Sequence, residues 1–401
     1  MKTMNRILIG AVTLIACCGL AACSGGGSGD SASVNNTPPP PPPPPAVQTG
    51  VFKDFNVSGL SFVSGQESGI TTDNGRFTCE TGSDVAFSIG GVALGQTACA
   101  TFVAPNQLAT LGQTFDLEVS NLSRFLQMLD QDGDPDNGIV ISDAVQQVSA
   151  NWNQVDFLTA DLDNELVTII SDAASVDGTL HALPSATEAD EHLSATLACA
   201  YAGAYAGSFS GSNSGAAAMV IGWNAAGFGH VPLAFEWQGY DAADEFIVFG
   251  GGSGSITILD LPQIEHTAAG LAGPISAMFI TPDSISGTWD GGNLNFQRIG
   301  PDDGSAYRLV GSAGSAEVAA YISVNLDDTS ISGEAFEVVE GTTFSVTGTL
   351  TGDSVSLTAT SATETLSGSG TLTRNADNSP REVQGTLDDG STFSMVACRL
   401  N

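Results

Sequence analysis

Positive charge is what this chain has least of. Its 401 residues carry 10 Lys and Arg against 44 Asp and Glu, a formal net charge of −34 at pH 7. Only 13% of the residues are charged, so the imbalance reflects missing bases more than surplus acids. Beyond the first 22 residues, Lys53 is the only lysine. Such a surface repels phosphate backbones and anionic head groups, which excludes nucleic acid as a partner. Catalytic signatures are also missing. There is no G-x-S-x-G turn, no zinc-protease helix motif, no phosphate-cradling loop and no C-x-x-C pair. Carboxylate pairs such as Asp302-Asp303 and Asp388-Asp389 sit in Gly-flanked turn sequences, and 44 acids make any one pair uninformative. The chain therefore reads as noncatalytic, with an exported hydrolase as a distant alternative.

Glycine is abundant, at 48 residues, among many Thr, Ser and Val. Short, Gly-punctuated segments with period-two alternation recur, for example Ile285 to Trp289, Val346 to Leu350 and Leu366 to Leu372. This pattern predicts a mainly β fold with tight turns and a helical insert. The expected organisation is 1–22 export signal, 23–50 tether, 51–103 small β module, 104–198 helical segment, and 199–401 an antiparallel meander or barrel of eight to twelve strands. A transmembrane barrel is not expected, because the strands lack aromatic girdles.

At the start, Lys2 and Arg6 precede an apolar run from Ile7 to Ala22, too short for a comfortable membrane span. Leu20-Ala21-Ala22-Cys23 closes it and resembles the lipobox of bacterial lipoproteins. That resemblance implies cleavage before Cys23, acylation of Cys23 and, with Ser24 following, residence in the outer membrane. Ser24 to Asn36 is a flexible tether, and the eight prolines Pro38 to Pro45 make a stiff spacer. In polyproline II form they span roughly 25 Å. The stretch Ser68 to Gly95, with its Thr72-Asp73-Asn74-Gly75-Arg76-Phe77 turn, resembles short β repeats in proteobacterial surface proteins.

The chemistry concentrates between Asn121 and Val145. Counting Asp132 as position 1, Asp134 falls at 3, Asp136 at 5 and Asp143 at 12, with the Gly138 carbonyl at 7 and Ile139 at 8. Oxygens at those positions suit calcium. Val119, Leu122, Phe125, Leu126 and Leu129 predict a helix before the loop, and Ser142 caps one after it. The stretch resembles the calcium loops of EF-hands and dockerin-like modules, which implies a structural calcium ion. It differs at position 6, where Asn137 stands for the usual glycine and is expected to take up the left-handed turn.

Cys79, Cys99, Cys199 and Cys398 remain after the leader, an even number that predicts disulfides in an oxidising compartment. Three pairings are possible. Cys79–Cys99 within one module and Cys199–Cys398 closing the last domain are the expected ones. Leu158, Leu162, Leu166, Ile169 and Ile170 suggest one helix, and Ser185 to Glu188 a capping box opening another. Glu188 and His192 lie one turn apart but read as a solvated helix face, not a metal pair. Of the four tryptophans, Trp152, Trp223, Trp237 and Trp289, the last three fall in the barrel-like part and read as core side chains in preference to a pocket lining or sugar platform.

The expected protein is a calcium-stabilised, lipid-anchored envelope component. Its task would be binding or adhesion to an unknown protein or glycan. The alternative is a carrier holding a small apolar ligand in the barrel.

Overall fold

The computed structural model describes residues 45–110, 116–222, 233–241, 246–256, 263–267, 274–289, 292–300, 307–314, 317–375 and 378–399. The export signal, Cys23 and all but the last residue of the proline run lie outside these. Pro45–Asn401 forms one compact unit.

The first part is small sheets held together by aromatic side chains. Val47–Phe52 pairs antiparallel with Arg76–Glu80 and parallel with Phe102–Val103. Ser61–Ser64, Glu67–Ile70, Asp84–Ile89 and Val92–Ala98 form a second sheet. Phe52, Phe77 and Phe87 pack edge-to-face between them, with centroids 4.9 and 5.0 Å apart. Val57-Ser58-Gly59-Leu60-Ser61-Phe62 alternates in sequence as one strand would. It is broken at Gly59, whose φ of +90° turns the chain between Val57–Ser58 and Ser61–Ser64.

The helical segment shares this core. Leu117–Met128 is capped by Asp116, which accepts from the Val119 amide, and buries Val119, Leu122, Phe125 and Leu126. Ala186–Tyr201 is opened by the reciprocal Ser185–Glu188 capping box, as the sequence predicts. The single helix expected from Leu158 to Ile170 is two, Leu162–Glu165 and Val167–Asp177. Leu158 lies before them and is exposed, because Asp156 and Thr159 hold the preceding residues in turns.

The C-terminal half is antiparallel and mainly β, and it ends in a closed barrel. The barrel strands are Tyr307–Ala313, Val318–Val324, Ser330–Glu337, Thr342–Thr351, Ser354–Thr360, Thr365–Arg374, Pro380–Leu387 and Thr392–Arg399. The last pairs with the first, which leaves no free edge. The eight strands described within 203–298 form a separate sheet, so the meander or barrel expected over 199–401 is divided between an open sheet and a closed barrel. Gly203–Gly211 and Gly292–Arg298 pair at its centre, with Phe246–Ile256 and Gln263–Thr267 at its edges. Alternation explains the division. Leu309 and Ile322 face the barrel interior, while Val310, Ala319 and Tyr321 on the same strands belong to the core shared with the sheet.

The scarce bases hold these parts together. Lys53 and Arg308 are buried. Arg298 donates to the carbonyls of Ala200 and Pro282, joining the end of the long helix to the sheet. Arg308 donates to the carbonyls of Ile299 and Gly300 and stacks on Tyr321, joining sheet to barrel. Three of the chain's few cations thus leave the surface.

Candidate functional site

The acidic loop is tied into the core from several directions. Ile139–Val140 forms a short parallel ladder with Val57–Ser58, and the Ile139 amide donates to the Asn56 carbonyl at 2.8 Å. Ile139 is fully buried, facing away from the loop as position 8 predicts. Pro135–Asn137 is a single 3-10 turn. Asn137 does not supply the left-handed residue. Gly138, with φ +114°, and Gly133, with φ +74°, do so, because the 3-10 turn keeps Asn137 right-handed and passes the reversal to the next residue. Ser142 caps Asp143–Ser149 through the Val145 amide.

Asp132 accepts from the Asp134 amide and from the Asn137 side chain, both at 3.0 Å. The Asn137 side chain, then the Asp134 amide, hold its carboxyl below the usual carboxylate range. Asp130 was not in the predicted set, yet it faces the same space. It is 2% exposed; one oxygen accepts from the Val140 amide at 2.9 Å and the other is buried without a hydrogen-bond partner. Burial, joined by the neighbouring Asp132 and opposed by the Val140 amide, pushes its carboxyl up to about 6. A buried, unsatisfied carboxylate oxygen beside a second carboxylate is an acceptor set that fits a cation. Among the described residues no three acidic, thiol or imidazole groups converge as a finished metal shell. Asp134 is exposed, Asp143 is exposed in the first turn of its helix, and the side chain of Asp136 lies outside the described residues. The signal for Asp130 was available in sequence, since 130, 132, 134 and 136 continue one spacing.

Two buried histidines brace the loop. His192 faces Asp54 at 2.7 Å through Nδ1 and the Pro135 carbonyl at 3.1 Å through Nε2. The Gln127 side chain donates to the second oxygen of Asp54. Both ring nitrogens thus face oxygens, and the long helix is joined to the 3-10 turn of the loop. His181 meets the Met128 carbonyl at 2.8 Å and stands 3.3 Å from Asp177, which accepts from the capping hydroxyl of Ser142. His181 therefore links the helices before and after the loop. Glu188 takes no part with His192; it caps its own helix and is exposed. His230 and the side chain of His266 lie outside the described residues.

A second feature lies at one end of the barrel. A cavity of about 230 Å³ opens among the hairpin turns that follow Ala313, Glu337, Thr360 and Leu387. Small inward residues there, Ala313, Ala320, Ala335 and Ala359, leave room that Leu309, Leu350 and Leu372 occupy elsewhere in the barrel. Glu317, Glu337, Glu364 and Asp389 line the mouth.

Cys79 and Cys99 form a disulfide, and Cys199 is also disulfide-bonded; the side chain of Cys398 lies outside the described residues. Trp152 and Trp289 are buried, with their indole nitrogens donating to Asp172 and to the Ser210 carbonyl. Trp223 and the side chain of Trp237 lie outside the described residues.

No protein-family model matches the chain, and no curated protein does. Among solved structures it is similar to HpuA from Kingella denitrificans, determined in complex with human haemoglobin. That likeness has 13% identity and a TM-score of 0.19, and covers 42% of this chain and 84% of the other.

Proposed function

We propose that the protein is a noncatalytic outer-membrane lipoprotein, anchored through Cys23, whose folded part binds a ligand or partner at the cell envelope. The observation that carries the binding part of this reading is the barrel end: a closed wall left unfilled at one mouth, among hairpin turns. The cavity's size weighs between the two binding modes expected from sequence. At about 230 Å³ it falls below the roughly 300–1,000 Å³ of sites that enclose a whole drug-sized ligand. It suits a grip on one inserted group better than carriage of a lipid.

Calcium would order the acidic loop, with Asp130 and Asp132 meeting it first. Asp134, Asp136, Asp143 and the Gly138 carbonyl supply the remaining oxygens that the spacing predicts. Its contribution there is charge neutralisation between carboxylates, which stabilises the junction of helix, loop and strand. The membrane contact in this reading is the lipid on Cys23; no described helix is long and apolar enough to cross a membrane.

Native mass spectrometry of the exported protein, purified without chelator, tests this reading. One calcium, two disulfides and diacylglycerol with an N-acyl chain on Cys23 are expected. Turnover of ester or glycoside substrates by the same preparation, or an unmodified Cys23, would contradict it.

A further inference from the structure

Charge within the barrel is distributed by end. Its four arginines, Arg308, Arg374, Arg381 and Arg399, all lie at strand ends opposite the open mouth. The four hairpin turns at the mouth contain no Lys, Arg or His, and each places an acid on the cavity: Glu317, Glu337, Glu364 and Asp389. Below this rim the lining is apolar, with Ile322, Leu357, Phe393 and Met395 around the alanines.

Two of the four acids have work inside their own turns. Glu337 accepts from the amides of Val339 and Glu340, and Asp389 from the amide and hydroxyl of Ser391. Those bonds fix both carboxylates in place. They also leave Glu317, half-buried, and Glu364, exposed, as the acids able to turn towards a ligand. No base of the protein's own lies on these turns, so an incoming cation meets no competing positive charge there.

We propose that this mouth binds a small organic cation, an ammonium carried on a short aryl or alkyl body. The body fills the apolar cavity and the ammonium sits among the four carboxylates. The size fits. A dry cavity of about 150 Å³ accepts a benzene ring, so this one accepts a ring with a short chain. The charge fits as well, since an anion would meet four acids and an uncharged ligand would forgo the rim. This deepens the binding reading given above and rests on it.

The test uses the full chain in nanodiscs, with empty nanodiscs as the blank, and saturation-transfer NMR at neutral pH. Phenethylammonium, 2-phenylethanol and 3-phenylpropionate serve as probes of matched shape. Phenethylammonium should bind, the alcohol roughly fivefold more weakly, and the anion not detectably. Glu317→Gln combined with Glu364→Gln should bring the ammonium to the level of the alcohol, and Ala359→Leu should weaken both by narrowing the cavity. Equal binding of ammonium and alcohol would overturn the cation proposal while leaving the barrel end as a binding site. No binding by any probe would overturn both.

Discussion

The loop around Asp132 and the mouth of the barrel are both clusters of carboxylates, yet their surroundings make them different devices. In the loop Asp130 and Asp132 stand side by side, each accepting from a backbone amide, and one oxygen of Asp130 is buried without a partner. At the barrel mouth the acids stand around an apolar space and are separated by whole hairpins. The first arrangement calls for a small, hard cation that takes several oxygens. The second calls for a cation with an apolar body. Residue type alone does not distinguish these sites; what lies between the carboxylates does.

Breaking the loop's bracing should have the largest effect. His192→Ala empties a buried ring site and leaves Asp54 and the Pro135 carbonyl each a partner short, so a loss of about 3–5 kcal/mol is expected in urea unfolding. Ile139→Ala, which empties a fully buried site beneath the loop, should cost about 2–5 kcal/mol. A pH dependence follows from Asp130. Its folded carboxyl titrates at about 6, above its ordinary value of 3.8, so folding favours the protonated form. That contribution is complete below about pH 4 and lost as pH rises through 6. In chelator, wild type should therefore lose stability across this interval relative to Asp130→Asn, and calcium should reverse the difference at neutral pH. Thermal unfolding at a series of pH values checks both. The smallest effect belongs to the barrel. Glu317→Gln and Glu364→Gln should each change stability by less than about 0.5 kcal/mol, since neither carboxylate makes a hydrogen bond among the described residues.

The two regions also differ in how far they could be read from sequence. The order of helix, loop and helix was legible, because capping residues and helical spacing are local signals: Ser142, Ser185 and the stripe from Val119 to Leu129 behave as written. So were the Cys79–Cys99 disulfide and the antiparallel C-terminal barrel. The bracing was not legible, because His192 reaches Asp54 across 138 positions and no local pattern marks such a pair. Asn137 is not the left-handed residue, because the 3-10 turn that opens at Pro135 carries the reversal on to Gly138. The division of the last two hundred residues into sheet and barrel was hidden for a related reason. Alternation gives each strand two faces but does not say which neighbour each face meets. The acidic mouth needs strand order as well, since only closure brings Glu317, Glu337, Glu364 and Asp389 to one end.

The most direct test of the difference between the two sites is hydrogen exchange across the full chain, measured once with calcium and once with phenethylammonium. Calcium should protect residues 130–145 and leave the barrel turns unchanged, while phenethylammonium should protect the four turns at the mouth and leave the loop unchanged. Protection of the same segments by both ligands, or of neither region by its own, would contradict the account.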